Sequence, residues 1–291
     1  VVNYKLLVTV FFSLSITAFA EDAVYSGLHK DIPIGVVEGT QLSINIAFPE
    51  TNRTQSLPVV LFIHGGGFVS GDKNSKNRQL RKFAEKGFVA ASAMYRLSPT
   101  YRFPSQIEDI KLAIRFLKAN AIRFGLDPDR IILVGASAGS YLAVMAGVTG
   151  NFDEFAHHGL YSEQSSSVRA VVAQSSPIAN FTLPKYRESL TVQRLVDASS
   201  QNYSQTLRQM SPETYLDPSD PPFFLSHGTE DELVPVYMSR EFVKALEAIN
   251  HDFDYYEVEG GTHSLSRSAP QASKMVFKEL INFIEKWSET M

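Results

Sequence analysis

Arg130-Ile-Ile-Leu-Val-Gly-Ala-Ser-Ala-Gly-Ser140 (RIILVGASAGS) joins a β-branched apolar run to a cluster of small residues, with one hydroxyl, Ser137, at its centre. The run Arg130–Val134 has the character of a strand buried on both faces. Ala138–Val148 beyond it is apolar enough for a buried helix. Gly135-x-Ser137-x-Gly139 therefore predicts a strand that reverses sharply into a helix, with the serine strained at the apex. Glycine and alanine flank it because larger side chains would meet the neighbouring strand and helix. The N-terminal amides of the following helix point at the serine and favour a developing anion. Read without function, these residues make an ordinary turn packed with small side chains. The order strand, apex, helix favours a nucleophile.

A serine hydroxyl is a weak nucleophile until a base takes its proton and an acid orients that base. Two downstream segments offer them. Phe224-Leu-Ser-His-Gly-Thr-Glu-Asp231 ends a strand pattern with two carboxylates, and Gly260-Gly-Thr-His263 follows the last strand pattern. Both leave the carboxyl ends of expected parallel strands, where open α/β sheets bind ligands. His263, in a glycine-flanked loop, is the candidate base. Asp231 is favoured over Glu230 as the acid, since its shorter arm in the turn suits a fixed partner. Upstream, His64-Gly-Gly-Gly67 follows the buried run PVVLFIH. A glycine loop there can present backbone N–H groups to an oxyanion. The candidate donors are the amides of Gly66 and Gly67, with that of Ala138 from the apex. His64 itself is expected to shape the loop rather than transfer protons.

Outward from these segments, strand and helix patterns alternate. Strands are expected at Leu42–Phe48, Pro58–His64, Phe88–Tyr95, Val168–Gln174, Phe223–His227 and Asp252–Val258. Helices are expected at Lys76–Lys86, Gln106–Phe124, Tyr237–Ile249 and Pro270–Trp287. This order predicts an α/β fold with a mostly parallel central sheet flanked by helices. Residues 178–220 break the rhythm. They are polar, lack a strand pattern and hold two short helix candidates, Leu190–Asp197 and Tyr203–Gln209. A long insertion of this kind is either a cap over the site or a solvated excursion at a sheet edge.

Composition narrows the chemistry. The 291 residues carry 27 Lys+Arg against 31 Asp+Glu, and the resulting charge of -4 disfavours nucleic acid as a partner. The chain has no cysteine, which excludes disulfides, thiolate catalysis and cysteine-bound metal within it. Residues 1–20 read as a secretory signal peptide: an early lysine, an apolar run, and Ala18-Phe19-Ala20 as an A-x-A cleavage site. The expected localisation is secreted or periplasmic, with 21–291 as one catalytic domain. No later segment holds the roughly 18 uninterrupted apolar residues of a membrane span. His157-His158 does not read as a metal site, because adjacent residues on a helix point apart.

Taken together, HGGGFVSGDK, the stretch AMYRLSPTYRFPSQIEDIKLAIRFLKANAIRFGLDPDRI, GASAG, HGTEDELVP and GGTH resemble the α/β-hydrolase esterases. The nearest branches are the BD-FAE-type acetyl-xylan and feruloyl esterases and the hormone-sensitive-lipase-like carboxylesterases. The similarity spans about Ile32 to Trp287. It implies the α/β-hydrolase fold with a small cap insertion, Ser137 as nucleophile, Asp231 as acid and His263 as base. It also implies Gly66, Gly67 and Ala138 as the oxyanion hole, and neither metal nor cofactor. Asp109 would be structural, tying its helix to the YRLSP loop. Two positions depart from the pattern: Ser140 stands where relatives often carry glycine, and Tyr141 where they often carry histidine. Ser140 is small enough to keep the helix packed close, whereas Tyr141 is expected to alter the acyl or alcohol pocket.

The function expected is a serine carboxylesterase acting on short-chain or aryl esters, with acetyl or feruloyl groups on plant polysaccharide as the lead substrates. Phe181, Tyr186, Tyr203 and Tyr215 are candidates to stack on a sugar or feruloyl ring, or else to pack the insertion. The alternatives are an amidase or peptidase of the same fold, resembling arylformamidases, and a non-catalytic hydrolase-like binding module.

Overall fold

The computed structural model describes residues 25–50, 55–156 and 159–289. The segment 1–20, expected to be a signal peptide, and the His157-His158 pair lie outside them. Eight strands form one sheet: β1 (Gly27–Val37), β2 (Thr40–Phe48), β3 (Leu57–Ile63), β4 (Val89–Ala93), β5 (Leu126–Ala136), β6 (Ala170–Gln174), β7 (Phe223–Gly228) and β8 (Phe253–Val258). Their order is β1-β2-β4-β3-β5-β6-β7-β8. The pairs β1–β2 and β2–β4 are antiparallel, and every later pair is parallel. The helices are α1 (Asn77–Ala84), α2 (Ser105–Ala119), α3 (Ala121–Phe124), α4 (Ala138–Val148), α5 (Leu190–Leu195), α6 (Tyr203–Gln209), α7 (Tyr237–Ala248), α8 (Leu265–Ser268) and α9 (Pro270–Ser288).

The continuous apolar runs follow from a sheet covered on both faces. Successive side chains alternate faces, so Val59, Leu61 and Ile63 of β3 enter one core with Ile110 and Ile114 of α2 and Leu142 and Met145 of α4. Val60 and Phe62 enter the other, with Leu80 and Phe83 of α1 and Leu280 and Phe283 of α9. The register carries this pattern across the sheet: Ile46, Ala91, Leu61, Leu133, Val171 and Phe223 form one row, and all belong to the first core.

Two elements differ from expectation. β1 gave no clean strand signal, because a bulge between His29 and Ile32 breaks the two-residue period. Asp31 sits there at φ 55, its amide donating to Asn45 Oδ1 at 2.9 Å and its carboxylate paired with Lys73 at 2.8 Å. The expected helix Gln106–Phe124 is two helices, interrupted at Asn120, whose Nδ2 donates to the Phe116 carbonyl at 2.8 Å.

Asp109 is fully buried and holds the loop as expected. It accepts from the Arg96 amide at 2.7 Å and from Arg96 Nε at 2.9 Å, and Arg96 also reaches Glu38 and Glu108. Arg96 belongs to the YRLSP loop, so this network fixes that loop on α2. Breaking a buried pair by removing one partner typically costs about 3–5 kcal/mol, because the other charge is stranded.

Residues 178–220 are not a solvated excursion. Phe181, Tyr186, Val192, Leu195, Leu207 and Met210 are buried in the first core. Each contributes about 1.5–3 kcal/mol relative to exposure, enough to hold the segment down.

Candidate active site

The apex is built as its spacing predicts. Ser137 takes φ 56 and ψ -127, a strained conformation for a side chain-bearing residue, between the end of β5 and the start of α4. Its amide donates to the Gln174 carbonyl of β6 at 2.9 Å. The glycines are dictated by contact. A Cβ on Gly135 would lie 2.2 Å from the Gly139 carbonyl oxygen, and one on Gly139 would lie 2.3 Å from that of Ile63. Ser140 fits the tight turn, with Oγ donating to the Ser137 carbonyl at 2.5 Å.

Tyr141 does not shape the pocket, contrary to expectation. It is fully buried, its hydroxyl donates to the Met210 carbonyl at 2.7 Å, and its ring packs edge-on against Phe68 and Phe181. It joins α4 to the insertion. Phe181 and Tyr215 are likewise buried in the core, so they pack the insertion and present no face to a sugar.

Asp231 and His263 meet across the β7 and β8 loops. His263 Nδ1 lies 2.7 Å from Asp231 Oδ2. A carboxylate only accepts, so Nδ1 carries the proton and Nε2 is left bare in the neutral ring. Gly228 makes the approach possible, since a Cβ there would lie 2.1 Å from the Gly261 carbonyl oxygen. Glu230 is exposed and its amide donates to that same carbonyl, which leaves Asp231 as the carboxylate facing the ring.

Asp231 has a second partner that the sequence did not single out. His227, fully buried on β7, has Nε2 2.7 Å from the Val234 carbonyl and 3.2 Å from Asp231 Oδ2. Both neighbours only accept, so Nε2 holds the proton and the neutral ring's Nδ1 accepts from the Ser239 hydroxyl at 2.7 Å. Asp231 Oδ1 accepts from the Leu233 and Val234 amides at 3.0 and 2.9 Å. Burial alone would raise the Asp231 pKa. The hydrogen bonds from His227, His263 and Val234 outweigh it and hold the carboxyl well below the usual range.

The glycine loop after β3 completes the arrangement. Gly66 and Gly67 have φ 113 and 60, which glycine adopts freely. Among the described residues, no carbonyl or side chain accepts from their amides or from that of Ala138. His64 shapes this loop: it stacks on Tyr95 at 4.2 Å, and its Nδ1 lies 2.8 Å from the Gly65 carbonyl oxygen. Burial lowers its pKa.

Ser137, His263, Gly66, Gly67 and Ala138 line one cavity of about 630 Å³. Lys185, Tyr186, Leu190 and Arg194 of the insertion and Tyr237 of α7 also line it. Among the described residues no hydrogen bond joins Ser137 Oγ to His263. The structure brings His263 and Asp231 into contact, and places Ser137 on the same cavity without that last link. Another cavity, about 650 Å³, opens beside α1 and α9 and contains none of Ser137, Asp231 and His263.

A strand-apex-helix serine, a histidine–aspartate pair after the last two strands and a glycine loop after β3 stand at the strand ends of one mostly parallel sheet flanked by helices, which is the α/β-hydrolase fold. The same fold occurs in Thermogutta terrifontis esterase 2, at TM-score 0.77 and 22% identity over 91% of this chain and 97% of that one. The chain belongs to the BD-FAE family, which it matches over residues 44–246. It is similar to esterase LipC of Mycobacterium tuberculosis, 32% identical over 75% of this chain and 57% of LipC. It is also similar to a bifunctional GH43-CE of Bacteroides eggerthii, with TM-score 0.77 and 28% identity over 90% of this chain and 38% of that one. The chain spans about half the length of the curated relatives it matches.

Proposed function

We propose that the protein is a carboxylic ester hydrolase working through a serine acyl-enzyme. The observation that carries this is the cavity shared by a strained serine, unpaired loop amides and an aspartate-bound histidine. Ser137 Oγ attacks the ester carbonyl as Nε2 of His263 takes its proton. The carbonyl oxygen becomes an oxyanion bound by the Gly66, Gly67 and Ala138 amides, aided by the N-terminus of α4. Asp231 stabilises the imidazolium. The C–O bond breaks, the imidazolium returns the proton to the departing alkoxide, and alcohol leaves. Water then cleaves the acyl-serine through the same base. The Ser137–His263 hydrogen bond forms as substrate fills the cavity, since such bonds are often long in empty sites.

Acetyl or feruloyl esters of plant polysaccharide are the substrates we favour. Family membership and the likeness to a bifunctional GH43-CE support that reading. Among the described residues lining the cavity, Tyr237 offers an exposed aromatic surface for a ring. A panel of acetyl, butyryl and feruloyl esters, acetylated xylan and matched anilides tests it. Turnover of the esters well above the anilides is the expected result. Faster anilide cleavage would replace the esterase reading with the amidase one.

A further inference from the structure

Two cations of the insertion reach the cavity, and they are held differently. Lys185 is ion-paired with Glu241 and lies over the rings of Tyr186 and Tyr237. Arg194 has no carboxylate partner among the described residues. Its one hydrogen bond from the guanidinium runs from Nη1 to the Gly67 carbonyl, at 3.2 Å. Glu188 also lines the cavity, but it is exposed and makes no ion pair with Arg194.

Arg194 is fixed through its backbone. Ser98 Oγ donates to the Arg194 carbonyl, the Phe103 amide donates to that of Leu195 at 3.0 Å, and Arg102 Nη1 donates to that of Val196 at 2.9 Å. The end of α5 is thereby tied to the loop that Arg96 and Asp109 anchor. The guanidinium rests against Gly67 so closely that a Cβ there would lie 1.9 Å from Nη1. Glycine at 67 thus leaves room for this cation as well as permitting φ 60. An arginine stays charged at any working pH, and its planar fork of donors matches a carboxylate. Here most of that fork is unused, half-buried, and placed beside the loop whose amides would hold the oxyanion.

We propose that Arg194 binds a carboxylate carried by the ester substrate, in its acyl or its alcohol half. This rests on the ester-hydrolase reading and names the substrate class within it: acidic esters, such as hemi-esters of dicarboxylic acids or acylated uronate-bearing sugars. Ordering of α5 before substrate arrives reduces the entropy lost on binding.

The test compares two matched pairs on the purified protein. Para-nitrophenyl hydrogen succinate against para-nitrophenyl butyrate places the charge in the acyl half. Para-acetoxybenzoate against its methyl ester places it in the alcohol half. The wild-type protein should prefer the charged member of one pair. Arg194→Met should lose that preference by about 10–100-fold, the worth of a charged hydrogen bond, mainly through KM. The loss should fall mainly on the charged member of the pair, and Arg194→Lys should recover part of it. Added salt should weaken only the charged member with the wild-type protein, a reading that needs no variant to fold. Equal losses on neutral and charged esters would make Arg194 a prop for the glycine loop and overturn the proposal. So would the absence of any charge preference or salt effect, with neutral esters still hydrolysed. Failure of the wild-type protein on every ester would overturn the hydrolase reading and this proposal together.

Discussion

Ser137→Ala is expected to lower kcat for ester hydrolysis by about 10⁶-fold, with folding and ester binding retained. Alanine removes Oγ and keeps the small side chain that the turn between Gly135 and Gly139 tolerates, so the loss is chemical. In the proposed mechanism nucleophile and base act as one unit. Adding His263→Ala to the first substitution should therefore cost little more, and single-turnover kinetics on a para-nitrophenyl ester would read both. Residual catalysis comes from the loop amides alone. A Ser137→Ala protein that retained a tenth of its activity would remove the serine from the mechanism.

Asp231→Asn should cost about 10⁴-fold in kcat at neutral pH, and the local geometry says why. The carboxylate accepts from two amides at Oδ1 and from two histidine N–H groups at Oδ2. An amide side chain of the same shape has only one accepting oxygen. If that oxygen faces the Leu233 and Val234 amides, its NH₂ group faces His227 and His263. His263 must then shift its proton to Nε2, and the ring can no longer accept from Ser137. The same substitution separates charge from shape in stability. The Asp231 pKa is depressed in the folded protein. Its stabilising contribution is therefore fully present above the unfolded value of about 3.9 and is lost as pH falls below it. Thermal unfolding should show the wild-type advantage over Asp231→Asn at pH near 7 and its decline in acid. An advantage that grew in acid would contradict the sign.

Much of this was legible because it is local. A β-branched run, glycines at fixed offsets and a histidine after a final strand are patterns of short range, and the sheet order then places them together. The parts that were not legible depend on what lies across a gap. β1 was hidden by the bulge at Asp31, which hydrogen-bonds to Asn45 on the neighbouring strand. Tyr141 was expected at the pocket, and its place is set instead by Phe181 and Met210 of the insertion, which pack against its ring and accept from its hydroxyl. His227 was visible as a letter in HGTED, but only its burial between Val234, Ser239 and Asp231 gives it a role in orienting the acid. Arg194 carries no motif at all. Its meaning comes from Gly67, a residue on a different loop.

Reaction of the folded protein with a fluorophosphonate, followed by peptide mass spectrometry, tests the central claim most directly. A single phosphonyl adduct on the peptide containing Ser137, formed with loss of esterase activity and absent from the Asp231→Asn and His263→Ala proteins over the same time, is the predicted result. An adduct on another serine, or full esterase activity with Ser137 unmodified, would contradict the account.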